Sequence, residues 1–234
     1  MSPVLGVAPL VSFIVRTVGR GTLVRALDSI AAQTHRPIEI VLVDSAGRGI
    51  AMSNHRGVPV RLVRGNGFKS TEAANAGLEA AHGAWIGILD DDDEIAPDHV
   101  ASLLAAAQAG GTRAAYGQTQ LVDADGQPER VFGGGPFSRA ALLNSNYIAI
   151  HAVLFHRSFV EAGHRFDPDF PIFYDWDFWL QLSESGDFAF TGRPTAVYWA
   201  SSGESGGGAG PNLDREQSMR VHDQLMRKWA ALSH

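Results

Sequence analysis

Four short apolar runs, LVSFIV (10–15), IEIVLVD (38–44), VPVRLVR (58–64) and AWIGILD (84–90), each give way to a polar loop. Unbroken apolar runs of this length suit strands covered on both faces, as in parallel sheets. Helical periodicity follows three of them. TLVRALDSIAAQ (22–33) puts Leu23, Ala26, Leu27, Ile30 and Ala31 on one stripe. STEAANAGLEAAHG (70–83) reads as a helix capped by Ser70 or Thr71 and closed by Gly83, and APDHVASLLAAAQAGG (96–111) as one with Pro97 in its first turn. Alternation of this kind predicts a doubly wound α/β layer, whose ligands sit beyond the carboxyl ends of the strands.

The second half is less regular. RAAYGQTQLVDADGQPERVF (113–132) predicts a hairpin turning at Asp125-Gly126, and HAVLFHRSFVEAG (151–163) a strand opened by His151 and running into a short helix. FYDWDFWLQLSESG (173–186) predicts an aromatic-rich helix, GRPTAVYWA (192–200) a last strand, and LDREQSMRVHDQLMRKWAAL (213–232) an amphipathic terminal helix. The glycine-rich SSGESGGGAGPN (201–212) reads as a lid or a plain connection. No linker divides the chain, so residues 1–234 are expected to form a single domain.

A formal net charge of -6 excludes a general nucleic-acid binder, which needs a basic face for phosphates. The chain has no cysteine, which removes disulfide frameworks and thiolate metal sites and fits a reducing compartment. MSPVLGVAPLVSFIV has no basic residue before Arg16 and reads as a first strand, not a signal peptide. No stretch reaches the roughly 20 apolar residues of a membrane span. A cytoplasmic protein is expected, with peripheral membrane association left open.

The chemistry concentrates at strand ends. Asp90, Asp91, Asp92 and Asp93 follow the fourth run directly. Adjacent carboxylates raise one another's pKa unless a cation neutralises them, and an all-oxygen set favours Mg²⁺ or Mn²⁺ shared with substrate phosphates. The plain alternative is an acidic turn at a helix start. An EF-hand is excluded, because the sixth residue from Asp90 is Ile95 and the twelfth is Ala101. Asp44 ends the second run, where a carboxylate either receives a ribose or base or caps a turn. Lys69, in GNGFKSTEAAN (65–75), adds an ammonium to a glycine-rich loop before a helix and suits a diphosphate, but the stretch is not a P-loop and on its own reads sooner as an ordinary strand-to-helix loop. In YDWDFWLQL (174–182), Asp175 shares a helix face with Phe178 and Trp179, and a carboxylate beside aromatic surface gains the basicity of a general base. Trp176 offers a stacking surface for a sugar, or serves as core. His151 is a secondary acceptor-side candidate, set against the commoner reading of a satisfied core histidine.

Taken in order, VSFIVRTVGR, LVRALDSIAAQTHRPIEIVLVDS, AANAGLEAAHGAWIGILDDDDEIAPD, HAVLFHRSFVEAGHRFDPDF and YDWDFWLQL resemble the family 2 glycosyltransferases with the GT-A fold, over about residues 11–198. The resemblance implies a nucleotide-diphosphosugar, UDP-linked by preference, bound by a half spanning about 1–112, and a glycan or glycolipid acceptor held by the rest. It implies that Thr17 lines the nucleotide pocket, Asp44 reads the base, Asp91 meets the ribose, and Asp90 and Asp92 are the two acids of the DxD motif, with Asp92 on the metal. Asp175 matches the aspartate that serves as base in an inverting displacement. The chain departs from the family pattern at four places: Arg16 stands for a proline, Ala74 for an arginine, Tyr174 for the glutamate of an acidic pair, and SSGESGG for a segment that often carries a metal-binding histidine. The Gln-x-x-Arg-Trp signature of processive synthases is absent, which implies single transfer. A nucleotidyltransferase would need a longer triphosphate loop than RTVGRGT; a binding relative without turnover is the remaining alternative.

Overall fold

The apolar runs become strands and the striped segments pack onto them. The computed structural model describes residues 8–199 and 215–232. The elements in chain order are β1 (Val11–Thr17), α1 (Leu23–Ala31), β2 (Ile38–Asp44), β3 (Asn54–His55), β4 (Val58–Arg64), α2 (Ser70–Ala80), β5 (Trp85–Asp90), β6 (Glu94–Ile95), α3 (His99–Gly110), β7 (Ala114–Val122), β8 (Pro128–Phe132), α4 (Arg139–Leu142), β9 (Val153–His156), α5 (Ser158–Glu161), α6 (Tyr174–Ser183), β10 (Ala189–Trp199) and α7 (Arg215–Ala231).

One sheet runs through both halves in the order β3-β4-β2-β1-β5-β9-β7-β10-β6, with β8 paired to β7. β4, β2, β1 and β5 are mutually parallel. β9 then lies antiparallel to both β5 and β7 and joins the halves. The expected parallel layer is continuous in the first half, β7 and β10 form a further parallel pair in the second, and the antiparallel β9 between them makes the sheet as a whole mixed. β1 is flanked by β2 on one side and β5 on the other, so the winding reverses at β1, the topological switch point where a crevice opens. Register places Thr17 opposite Asp44 and Arg16 opposite Asp90 at that edge.

Alternation along β1 feeds a core on each face. Ile14 packs with Val41, Ala73, Leu78, Phe178, Trp179 and Trp229, under α2, α6 and α7. Phe13 and Val15 pack with Leu23, Leu27, Ile30, Val100 and Leu103, under α1 and α3. Each such side chain contributes about 1.5–3 kcal/mol by leaving water. α2 lies so near β1 that a Cβ on Gly77 would overlap the Ile14 side chain, so only glycine permits this approach.

Several local expectations shift. The N-cap of α2 is Lys69, not Ser70 or Thr71, because the Lys69 N–H donates to Glu72 Oε2 at 2.8 Å and helical geometry starts at Ser70. Pro97 lies outside α3, whose N-cap is Asp98; the Ala96 N–H still donates to the Thr195 carbonyl, which prolongs the extended backbone of β6 and delays the helix. His151 sits in a single 3₁₀ turn, Ile150–Ala152, just before β9. The glycine-rich 201–212 segment lies outside the described residues.

Candidate functional site

Four consecutive carboxylates at a sheet edge need compensation, and the fold supplies it from β1 and its following loop. Arg16 Nε and NH2 both donate to Asp90 Oδ1, at 3.0 and 2.6 Å. Arg20 reaches Asp91 Oδ1 at 2.7 Å and, more distantly, Asp92 Oδ2 at 3.5 Å. Thr17 Oγ1 donates to Asp91 Oδ2 at 2.5 Å and accepts from the Gly19 N–H. Arg25 donates to the Asp92 carbonyl, pairs with Glu94 at 3.0 Å and stacks over Trp199. On the inner side, His151 Nδ1 lies 2.9 Å from Asp93 Oδ2 and Nε2 lies 3.2 Å from Thr119 Oγ1. Burial alone would push the His151 pKa down, but the Asp93 carboxylate outweighs it and holds the imidazole above its usual value.

Asp92 is the least relieved of the four. Burial, then the neighbouring Asp93 and Asp90 carboxylates, push its pKa up to about 6, with Arg20 opposing. Asp93 Oδ1 is buried with no hydrogen-bond partner among the described residues. Surplus negative charge and an orphaned carboxylate oxygen on an all-oxygen set fit a hard divalent cation. Among the described residues, no group of three or more His, Cys, Asp or Glu side chains could hold a metal ion. A divalent ion here would take one or two carboxylates from the chain, with Asp92 the best placed, and the rest of its shell from phosphate oxygens and water. Asp90, expected beside Asp92 on the metal, gives Oδ1 to Arg16.

Asp44 is wholly buried and accepts from the backbone N–H groups of Arg48, Gly49 and Ile50 at 2.9, 2.9 and 3.2 Å. Burial raises its pKa, yet these donors prevail and hold the carboxyl below the usual range. Its visible task is to shape the loop bordering the crevice. Lys69 is exposed one residue before Ser70, whose carbonyl accepts from Arg16 NH1 at 3.1 Å; the α2 start thus borders the acidic run.

Across Arg16 from that run stands the first turn of α6. Tyr174 Oη accepts from Arg16 NH2 at 3.0 Å. The next residue, Asp175, accepts from Asn146 Nδ2 at 3.0 Å and from the Trp176 N–H at 2.8 Å. Both donors are neutral, and burial pushes the Asp175 pKa up despite them. The turn begins from Phe173 at φ 61°, a left-handed conformation that costs a bulky residue on the order of 1–3 kcal/mol and persists only where neighbours enforce it. Asp177, two residues on, contrasts fully: buried, it meets Lys228 Nζ at 2.8 Å, Trp229 Nε1 at 2.9 Å and Gln181 Nε2 at 2.8 Å.

Two expected acceptor contacts do not match their placement. Trp176 is 4% exposed, its indole N–H donates to the Leu142 carbonyl at 2.6 Å, and its ring packs against Phe173, so no open face remains for a sugar. His151 is equally buried and serves Asp93 from behind. The structure thus joins Thr17, Asp90, Asp91 and Asp92 in one cluster, sets Asp175 across Arg16 from it, and leaves Trp176 and His151 in the core. Arg20, Tyr174 and Asn146 were not singled out as site residues. Arg16, Arg20 and Arg25, recurring every four or five residues from the end of β1 into α1, were a readable complement to the acids; Asn146 carried no comparable signal.

Residues 12–159 match the family model described as Glycosyl transferase family 2. The chain belongs to that family. The succinoglycan biosynthesis protein ExoO of Rhizobium meliloti (strain 1021) is 31% identical over 180 residues, which cover 73% of this chain and 49% of ExoO. The chain thus spans about half the length of that relative. The uncharacterized glycosyltransferase YwdF of Bacillus subtilis (strain 168) is 27% identical over 197 residues, covering 74% of this chain and 68% of YwdF. Among solved structures, S. aureus TarS 1–349 in complex with UDP-GlcNAc superposes with a TM-score of 0.71 at 17% identity, over 92% of this chain and 65% of that one. The complex of the same protein with UDP gives 0.64 at 16% identity, over 92% and 64%. The fold is that of the GT-A glycosyltransferases. Enzymes of this family generally use a divalent metal. No helix among the described residues is long and apolar enough to cross a membrane.

Proposed function

We propose that this chain transfers a sugar from a UDP-sugar to a hydroxyl of a glycan or glycolipid acceptor, in the cytoplasm, with inversion at the anomeric carbon. The observation that carries this reading is Asp175: a desolvated carboxylate held by two neutral donors, facing the acidic run across Arg16. Asp175 takes the acceptor hydroxyl proton as that oxygen bonds to the anomeric carbon. The bond from that carbon to the diphosphate oxygen breaks, and its electron pair leaves with the nucleoside diphosphate. A Mg²⁺ or Mn²⁺ ion held by Asp92 would neutralise charge on the leaving diphosphate. Asn146 fixes the orientation of the base, Thr17 and Arg20 fix Asp91 for the ribose, and the Asp44-organised loop borders the nucleotide base. Lys69 adds a cation at the diphosphate rim. Residues 1–112 hold the donor in this reading, and the remainder holds the acceptor. The UDP complexes of TarS support the donor class, and the place of ExoO in succinoglycan biosynthesis supports polysaccharide assembly.

The test is a screen of UDP-sugars for UDP release with and without Mn²⁺, repeated with Asp92→Ala and Asp175→Asn. Metal-dependent turnover lost in both variants is expected. Near-normal turnover in both removes these roles, and metal-linked UDP binding without turnover in the unsubstituted chain favours a binding protein.

A further inference from the structure

Two of the places where this chain departs from the family pattern, Arg16 and Tyr174, lie 158 residues apart and touch. Arg16 is 7% exposed, and all three guanidinium nitrogens are engaged. Nε and NH2 grip Asp90 Oδ1 at the end of β5, NH1 meets the Ser70 carbonyl at the start of α2, and NH2 also holds the Tyr174 hydroxyl at the start of α6. The guanidinium carbon lies 5.2 Å from the centre of the Tyr174 ring. One side chain therefore ties together the ends of β1 and β5 and the first turns of two helices.

We propose that Arg16 is a positioning residue for the catalytic base: its guanidinium clamps Asp90 and Tyr174 together and thereby fixes Asp175 relative to the donor site. The inference rests on the reading of Asp175 as the base. A planar fork with N–H groups on three sides makes these contacts at once, which an ammonium cannot do. The clamp matters because α6 starts from Phe173 at φ 61°, so a relaxed backbone does not set the direction of its first turn. The tie to Tyr174 supplies that constraint one residue before Asp175. The clamp is also electrostatic. Arg16 from β1 lowers the Asp175 pKa, against the larger upward effect of burial. Tyr174 on the same helix and Asp90 on β5 are the other titratable groups gathered around that guanidinium, and Asn146 is the neutral partner on the far side.

The test needs no substrate. In the full chain labelled with ¹³C at the aspartate carboxyls, the Asp175 signal is assigned with Asp175→Asn, and its titration is followed in Arg16→Met, Arg16→Lys and Tyr174→Phe. Arg16→Met is expected to raise the Asp175 midpoint by about 0.5–1 pH unit. Tyr174→Phe and Arg16→Lys, which retain the charge but break the tie, are expected to shift it less in the same direction. A lowered Tm with an unmoved Asp175 midpoint in Arg16→Met reduces Arg16 to a structural brace and overturns the proposal. If Arg16→Met does not fold, wild-type midpoints in both other variants overturn it equally. The UDP-release assay separates the two readings. Turnover retained by Asp175→Asn removes the base itself, whereas an unshifted midpoint alongside an inactive Asp175→Asn removes only the role of Arg16.

Discussion

The acidic run after β5 and the first turn of α6 meet at Arg16, yet the surroundings of their aspartates are opposite. Around Asp90–Asp93 the fold gathers Arg16, Arg20 and His151, leaving a surplus that falls on Asp92. Around Asp175, among the described residues, it places only neutral donors at hydrogen-bond distance. Carboxylates crowded beside cations can hold a ligand; one held by amides and partly desolvated accepts a proton readily. Asp177, on the same helix as Asp175, shows a third use, with its charge spent on fastening α7.

The contrast can be broken most severely at the base. Asp175→Asn is expected to lower kcat by about 10²–10⁴-fold in UDP-release assays while leaving Tm unchanged or higher. Asp92→Asn is expected to cost about 10²–10³-fold in metal-dependent turnover. The same substitution relieves crowded charge, so Tm of the metal-free protein at pH 7.5 should rise by roughly 2–4 °C, the effect of about 1 kcal/mol in a chain of this size. A fall in Tm would show that Asp92 was already compensated. Asp177→Asn should do the reverse, destabilising by about 1–3 kcal/mol in urea titrations while kcat per folded molecule stays near wild type.

The same contrast sets the pH dependence. Asp175 and Asp92 both titrate higher in the folded chain than in the unfolded one. Between the unfolded value and the raised one, the folded state binds more protons, so these groups make metal-free stability fall as pH rises, for Asp92 from 3.8 to about 6. Tm measured across that window should decline, and Mn²⁺ at pH 7.5 should recover part of the loss. The acid limb of kcat/KM should lie above the ordinary carboxylate range, since Asp175 must be ionised to act. The smallest effect is expected from Thr17→Val, which removes one hydrogen bond to Asp91 and should raise donor KM about 5-fold, the equivalent of about 1 kcal/mol.

The strands of the first half were legible because burial on both faces forces unbroken apolar runs. β2 and β4 coincide with the expected ranges, and β1 gains Arg16 and Thr17 because the parallel ladder continues to Asp44 and Asp90. The acids at strand ends and Asp175 in a helix's first turn were legible for the same local reasons. What the sequence hid depends on partners distant in the chain. Trp176 looks like an open platform until the Leu142 carbonyl, 34 residues away, takes its N–H. His151 looks like a ligand contact until Asp93 folds against it. Arg16, charged at the end of an apolar run, reads equally well as solvent-facing or phosphate-binding; Asp90 and Tyr174 decide otherwise.

The fastening of α7 has a consequence for how this molecule can be shortened. Lys228 and Trp229 reach from the final helix to a carboxylate only two positions beyond Asp175. Removing that helix would strip Asp177 of its one cation among the described residues and leave Gln181 as its remaining side-chain donor there. The seventh helix is thus a keystone for α6: a trimmed version ending after β10 would loosen the helix that carries Asp175 while leaving Asp175 itself in place.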